Sequence, residues 1–401
     1  MFGFSCWSSL KTPLTVKTFL KGLLDVLGCF FKFLPSKKKY ILFSQANSRY
    51  CGNSKFLYQY LFDSDWKVYW ICASSSQLEK IPARYRKRAV YRKTLKSLYL
   101  HLFCKAVVIS HGLSDFGVFS SLVKHKLVLN VWHGSGIKGV MLLDHSINIK
   151  EGDHYIKRES SYYDAVTVAS DIFRYIFCAS HLVDARKIHV TGDARIDLYL
   201  SSRRSFLQAR TGEFNILYAP TFRGKKTKFP IFFPFEDFNV EDFQNYLEEK
   251  PDIIFYLRPH PNDIQSSSQV KTLAEVFPGR VVDLSSDKLD DIDSILHIFD
   301  LVISDYSSIH FEPLLADVPC LFVSFDYEEY LTERGFVLDY DLVAPGPKVL
   351  NFQEMVAGIN AARFGMEAWS TQREQTRKLF FRYSDEKSCE RVESVLRSLV
   401  N

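Results

Sequence analysis

The sequence predicts an α/β protein built from two doubly wound domains that face each other across a cleft, preceded by an amphipathic N-terminal helix. Three observations predict it. Short apolar runs alternate with helix-spaced segments from residue 40 onward, which calls for parallel strands joined by crossover helices. A polar stretch without a strong period, "SSRRSFLQARTGE" at 201–213, splits that series in two. The 401 residues exceed one ordinary core and suit two domains of about 150–200 residues each.

The chain opens on "TVKTFLKGLLDVLGCFFKFLPSKKKY". Lys17, Lys21, Asp25, Gly28 and Lys32 recur at steps of three or four and share one helical face; Leu, Val and Phe fill the rest. Asp25 and Lys32 interrupt the apolar core that a signal peptide needs, and no small-residue cleavage site follows. No apolar run reaches the ~18 uncharged residues of a spanning helix. The segment fits a helix packed on the protein's own core, or one lying in the plane of an anionic membrane surface with Lys37 to Lys39 as a basic tail.

The first α/β series follows. "YILFS" (40–44) and "KVYWICA" (67–73) read as strands, with the helix "NSKFLYQYLF" (53–62) between them, capped by Asn53 or Ser54. The helix "TLKSLYLHLF" (94–103) precedes the strands "KAVVIS" (105–110), "KLVLNVW" (126–132), "DAVTVAS" (164–170) and "KIHVTG" (187–192). The second series has strands "FNILYAP" (214–220), "DIIFYLRPHP" (252–261), "RVVDLS" (280–285), "DLVISDYSS" (300–308) and "VPCLFVSFD" (318–326), with helices at 241–249 and 292–298. Residues 366–399 carry helical spacing and are expected to pack back across the junction. The organisation read from this is an N-terminal segment 1–39, domains 40–205 and 206–380, and a C-terminal helix in 381–401.

Composition narrows the function. A hydrophobic fraction of 47% and a charged fraction of 24% are globular values. A net charge of +5 suits phosphorylated substrates or anionic lipid and falls far short of the basic stripe that binds nucleic acid. The eight cysteines are scattered, without a CxxC pair or a His/Cys cluster, so neither a disulfide frame nor a metal site is expected.

Several strands end in chemically useful residues, and ligands of doubly wound sheets bind at such ends. "NVW" runs into His133-Gly134; "NILYAPTFRG" into Thr221 and Arg223; "IIFYLRPHP" into Arg258 and His260. "LVISDYSSIHFE" ends in Asp305, Ser307 and Ser308, with Glu312 a turn later. Ser307 and Ser308 would open a helix running to about Leu315, whose free N–H groups attract phosphate, and Asp305 would be its cap. Arg223 and Arg258 can fork onto phosphate oxygens. Of these residues, His133 and His260 alone accept a proton near neutral pH. No Walker sequence or GxGxxG appears, so no nucleotide cofactor is expected.

With "GNSKFLYQYL", "WHGSGIKG", "VTGDARID", "LYAPTFRG", "LRPHP" and "DIDSILHIFDLVISDYSSIHFEPLLADVPCLFVSFDYEEYLTERGFVLDY" in this order, residues 40 to 385 resemble the CDP-glycerol glycerophosphotransferase family of teichoic acid primases and polymerases. The resemblance implies two Rossmann-like domains of glycosyltransferase-B type. It implies transfer of glycerol phosphate, or a related polyol phosphate, from a CDP-polyol to a hydroxyl of a lipid-linked (undecaprenyl-type) acceptor in teichoic acid or capsule synthesis, with release of CMP. It places the protein peripherally on the cytoplasmic face of the membrane. Carried over by position, His133 becomes the general base, and His260 with Ser307 and Ser308 holds the donor pyrophosphate. The chain departs from the family pattern at Phe222 and Gly224, at Asp193-Ala194, and at Glu312-Pro313, which leaves ribitol phosphate open as the transferred group. A sugar-nucleotide glycosyltransferase or epimerase of the same fold and a non-catalytic polymer-binding subunit are the alternative readings.

Overall fold

The computed structural model describes residues 16–31, 37–46, 49–145, 156, 159–209, 212–223, 230–260 and 263–401. Two parallel sheets organise them. The first holds β1 (Lys37–Phe43), β2 (Lys67–Cys72), β3 (Ala89–Tyr91), β4 (Cys104–Ile109), β5 (Leu127–Asn130), β6 (Ala165–Val168) and β7 (Ile188–Val190) in the order β3-β2-β1-β4-β5-β6-β7. The second holds β8 (Phe214–Tyr218), β9 (Ile253–Leu257), β10 (Val281–Asp283), β11 (Leu301–Ser304) and β12 (Cys320–Phe322) in the order β10-β9-β8-β11-β12. Every named strand pairing is parallel. That topology removes the in/out alternation from inner strands: β6, β8 and β11 are buried at every position, as expected where both faces of a sheet are covered.

The strands sit where their apolar runs predict, trimmed by a residue or more at most ends. β3, three residues long, has no sequence signal of its own. The stretch 201–209, expected as an open boundary, is the second half of the continuous helix Ala194–Ala209, which touches helix Gly52–Leu61 on one side and the turns Leu296–Ile298 and Glu312–Ala316 on the other. The expected helix 292–298 is instead two 3-10 turns broken at Ile295. Asp291 accepts the Asp293 N–H and its carbonyl takes the Ser294 hydroxyl, a local bonding scheme that competes with helix propagation. Residues 366–399 form two α-helices, Ser370–Phe380 and Ser388–Val400, parted where Arg382 donates its N–H to the carbonyl of Ala169 beyond β6. Cys389, Val392, Leu396 and Val400 bury the second helix against the first sheet's core.

Helix Val16–Phe31 packs on the segments Leu113–Phe119 and Ser120–Val123. Leu24 is buried, and Gly28 lies so close to His125 that a Cβ would stand 2.6 Å from its ring. Asp25 pairs with Lys124 at 2.5 Å. One face of the N-terminal helix therefore belongs to the protein's core. The side chains of Lys17, Lys21, Lys32 and Lys37 to Lys39 lie outside the described residues, although β1 already begins at Lys37.

Candidate active site at the cleft

The strand β5 stops because its chain reverses hand. Trp132 lies at φ +49°, in the left-handed region that bulky side chains avoid, and its N–H is held by the Asn130 side chain at 2.8 Å. Asn53, expected as a helix cap, does another job. Its amide donates to the carbonyls of Val131 and Trp132 at 3.1 and 3.3 Å and accepts the Arg195 N–H at 3.2 Å, pinning the turn from beneath. Gly134 follows at φ +121°, where a Cβ would collide with the Arg195 guanidinium. Only a residue without a side chain fits there.

His133 stands at this turn as an exposed residue. Its Nδ1 faces the Ser110 carbonyl at 3.2 Å. A carbonyl only accepts, so Nδ1 carries the proton and Nε2 keeps the lone pair. The surrounding protein, then His111, and more weakly Arg195, push its pKa well below the ordinary histidine value. The ring is neutral at pH 7 and able to take a proton.

The two domains meet at this point. A Cβ on Gly136 would lie 3.7 Å from Cβ of Ser308, so the loop after β5 faces the loop after β11 directly. Residues 137–139 bridge to 335–337 by backbone hydrogen bonds, Val337 N–H to Ile137 at 2.8 Å and Gly139 N–H to Gly335 at 3.2 Å. His260, after β9, stacks on Phe222 with centroids 5.4 Å apart, and burial followed by Lys138 lowers its pKa to about 4. Burial brings the Lys138 amine down to about 8, against the attraction of Asp305.

Asp305 is a buried hub. It accepts the N–H groups of Thr221, Tyr306 and Ser307 and pairs with Arg223 at 2.7 Å. Burial opposes its charge, but Arg223 and these N–H groups outweigh it and hold the pKa below the usual value. The helix expected from Ser307 to Leu315 is replaced by two 3-10 turns, Ser308–His310 and Glu312–Ala316. Pro313 is the physical reason, since it has no N–H for the Ile309 carbonyl and its ring would strike that carbonyl. With the helix goes its dipole, so Ser307 and Ser308 present hydroxyls at a turn rather than a full helix terminus.

The arginines are committed to the frame. Arg223 also binds Asp326 at 2.5 Å and lies under the rings of Tyr306 and Tyr330. Arg258 donates to the carbonyls of Leu284 and Leu289, both at 2.5 Å, tying the 284–294 loop to β9. Glu312 pairs with Arg195, which also faces Asp293 at 3.5 Å and Asp193 at 3.9 Å. Burial opposes the Arg195 charge, but the three carboxylates together raise its pKa. For Glu312 burial prevails over Arg195, and its pKa rises to about 7. The departures at Asp193 and Glu312 therefore meet in one buried cluster across the domain junction.

Sequence reasoning singled out no role for Arg195, Lys138 or His111. His111 was readable: β4 ends in Ser110-His111-Gly112, the same strand-end pattern as Trp132-His133-Gly134. Arg195 and Lys138 gave no local signal, because Glu312 and Asp293 for the first and Asp305 for the second come from the other domain. Among the described residues no three His, Cys, Asp or Glu side chains are grouped to hold a metal ion.

Residues 29–397 match the family described as CDP-Glycerol:Poly(glycerophosphate) glycerophosphotransferase. The chain is 26% identical over 375 residues to a teichoic acid poly(ribitol-phosphate) polymerase of Bacillus spizizenii, covering 90% of this chain and 56% of that protein. It is 27% identical over 338 residues to a teichoic acid glycerol-phosphate transferase of Staphylococcus aureus, covering 79% of this chain and 82% of that one. The chain thus spans little more than half the length of the first of these relatives. The solved structure of the wall teichoic acid polymerase TagF superposes with a TM-score of 0.73 at 18% identity, over 97% of this chain and 99% of that one, a likeness of fold.

Proposed function

The chain belongs to the CDP-glycerol:poly(glycerophosphate) glycerophosphotransferase family, and from that premise we propose that it transfers glycerol phosphate, or ribitol phosphate, from a CDP-polyol to a hydroxyl of a lipid-linked acceptor in teichoic acid synthesis. The carrying observation is that a neutral histidine whose Nδ1 is taken by the Ser110 carbonyl, His133, lies on the loop that meets Ser308 across the cleft, with His260 after β9 of the same facing sheet. His133 Nε2 takes the proton of the acceptor hydroxyl. The acceptor oxygen then attacks the phosphorus that bears the polyol, its bond to the bridging oxygen breaks, and CMP leaves with the electron pair. Neutral His260 and the hydroxyls of Ser307 and Ser308 donate hydrogen bonds to the pyrophosphate, and Lys138 supplies positive charge beside them. Arg223, Arg258, Asp305 and Glu312 hold these loops in place.

Incubation with CDP-glycerol, CDP-ribitol and UDP-sugars, each with a lipid-linked acceptor analogue, tests the reading. CMP release from a CDP-polyol that depends on acceptor is the expected result; turnover of a UDP-sugar alone would replace this reading by the sugar-nucleotide one.

We propose that the reaction takes place at the cytoplasmic face of a membrane, where a lipid-linked acceptor would be held. No helix among the described residues is long and apolar enough to cross one. Helix Val16–Phe31 turns Leu23, Val26 and Phe30 outward, and they recur at helical spacing opposite its packed face. It touches helix Leu95–Phe103, where Leu95 is 86% exposed. The adjoining sequence "KIPARYRKRAVYRKTLK" (80–96) is densely basic. Apolar residues ringed by positive charge suit an anionic lipid surface.

A further inference from the structure

His111 stands against the proposed base and has no part in the reaction as written. Its ring lies on that of His133 with centroids 4.1 Å apart and planes within 7°, and the Trp132 ring, tilted by 40°, also touches His133 at 4.0 Å. We propose that His111 is the positioning residue of the base: with the Ser110 carbonyl it fixes the ring plane and tautomer of His133, so that Nε2 meets the acceptor hydroxyl. This rests on the role of His133 proposed above.

The loop that carries both groups is itself fixed. Asp115, buried beneath it, accepts the N–H groups of Ser110 and His111 at 2.9 and 3.1 Å. The Ser44 hydroxyl holds the Asp115 carbonyl at 2.7 Å, and the Ser110 hydroxyl meets His111 Nδ1 at 2.9 Å. The loop therefore offers His133 two constraints at once, a carbonyl in the plane of its ring and a flat surface parallel to it. A histidine's second torsion is broad, and a carbonyl alone leaves the ring free to tilt about the hydrogen bond. A stacked plane removes that freedom. The charged and titratable groups around His133 are His111 and Asp115 on this loop, His181 behind Trp132, and Arg195 from helix Ala194–Ala209. Burial lowers the His111 pKa to about 4, so at neutral pH it stacks as a neutral ring.

Two substitutions separate stacking from space-filling. His111→Phe keeps a flat ring, and His111→Leu fills the site without one. Wild-type CMP release from CDP-glycerol is measured first; its absence would remove the reaction and leave this inference to the spectroscopic arm. In the expected result His111→Leu lowers kcat by about 10–100-fold, the scale of a misplaced reacting group. KM for CDP-glycerol stays within about twofold, and His111→Phe recovers most of the rate. Side-chain nitrogen NMR of His133, which needs no turnover, should report the Nδ1–H form in wild type and His111→Phe. His111→Leu should shift it toward the Nε2–H form that free histidine prefers in water. Equal kcat and unchanged His133 signals in His111→Leu would overturn the proposal. So would a His111→Phe variant as slow as His111→Leu with wild-type His133 signals, because His111 would then touch substrate itself.

Discussion

Trp132 pays a conformational cost, about 1–3 kcal/mol for a bulky residue held at positive φ, and what it gains is the placement of its neighbour. His133 reaches the cleft only because the strand is stopped there. Replacing it by Ala should leave CDP-glycerol binding nearly intact and lower turnover by about 10²–10⁴-fold, the scale of a lost general base. Isothermal titration and CMP release read the two arms. More than half the activity retained would make His133 an ordinary loop residue. The pH profile follows from the direction of the shift. Only neutral His133 can take the proton, and its pKa lies well below 6.5, so the acid limb of kcat/KM should fall below that value. A limb centred above pH 6.5 would contradict the surroundings that lower the His133 pKa. Gly134→Ala is a steric counterpart: the added methyl strikes Arg195 at a φ that Ala resists, and thermal unfolding should show a loss of about 1–3 kcal/mol.

At the scale of elements, the strands were readable because a parallel strand covered on both faces is largely apolar, and β8 and β11 are buried at every position with one polar residue each. What a strand end delivers was half readable. Side-chain type marked His133, His260 and the serines, but the sequence could not tell that Arg223 is paired with Asp305 and Asp326 or that Arg258 gives its Nη1 to two carbonyls. Partners more than twenty-five residues away leave no periodic trace. Local turn chemistry, in contrast, was available and outweighed periodicity at Pro313 and Asp291. The Arg195–Glu312 contact joins helix Ala194–Ala209 to the Glu312–Ala316 turn and carries its own titration. Glu312 is raised from 4.5 to about 7, so the folded protein holds the proton more tightly than the unfolded chain. Its contribution is fully present below about pH 4.5 and is lost as pH rises through about 7. Glu312→Gln removes that slope. Urea midpoints at pH 5 and pH 8 should differ less in the variant than in wild type; equal slopes would mean Glu312 stays ionised throughout.

Across the whole molecule, one core cluster runs from β4 and β5 into β11 and β12, so the two domains share apolar packing as well as a cleft. A body joined in this way can be tethered at one end without disturbing the other. Helix Val16–Phe31 is placed for such a tether. Leu24 and Gly28 anchor it on the first domain, and Leu23, Val26 and Phe30, each roughly half or more exposed, face away. Deleting the helix would strip a packed face and confuse attachment with stability. Replacing Leu23, Val26 and Phe30 together by Ser keeps Leu24, Gly28 and the Asp25–Lys124 pair in place, so the fold should hold its melting temperature within a few degrees. Each basic residue close to an anionic bilayer contributes ~1 kcal/mol, and that share decays within a Debye length. Wild-type protein should therefore sediment with anionic vesicles at low salt and detach partly at high salt. The triple variant should bind those vesicles much less while releasing CMP at the wild-type rate with a soluble acceptor analogue. If it sediments as well as wild type, the outward face of this helix is an ordinary protein surface and the attachment lies elsewhere.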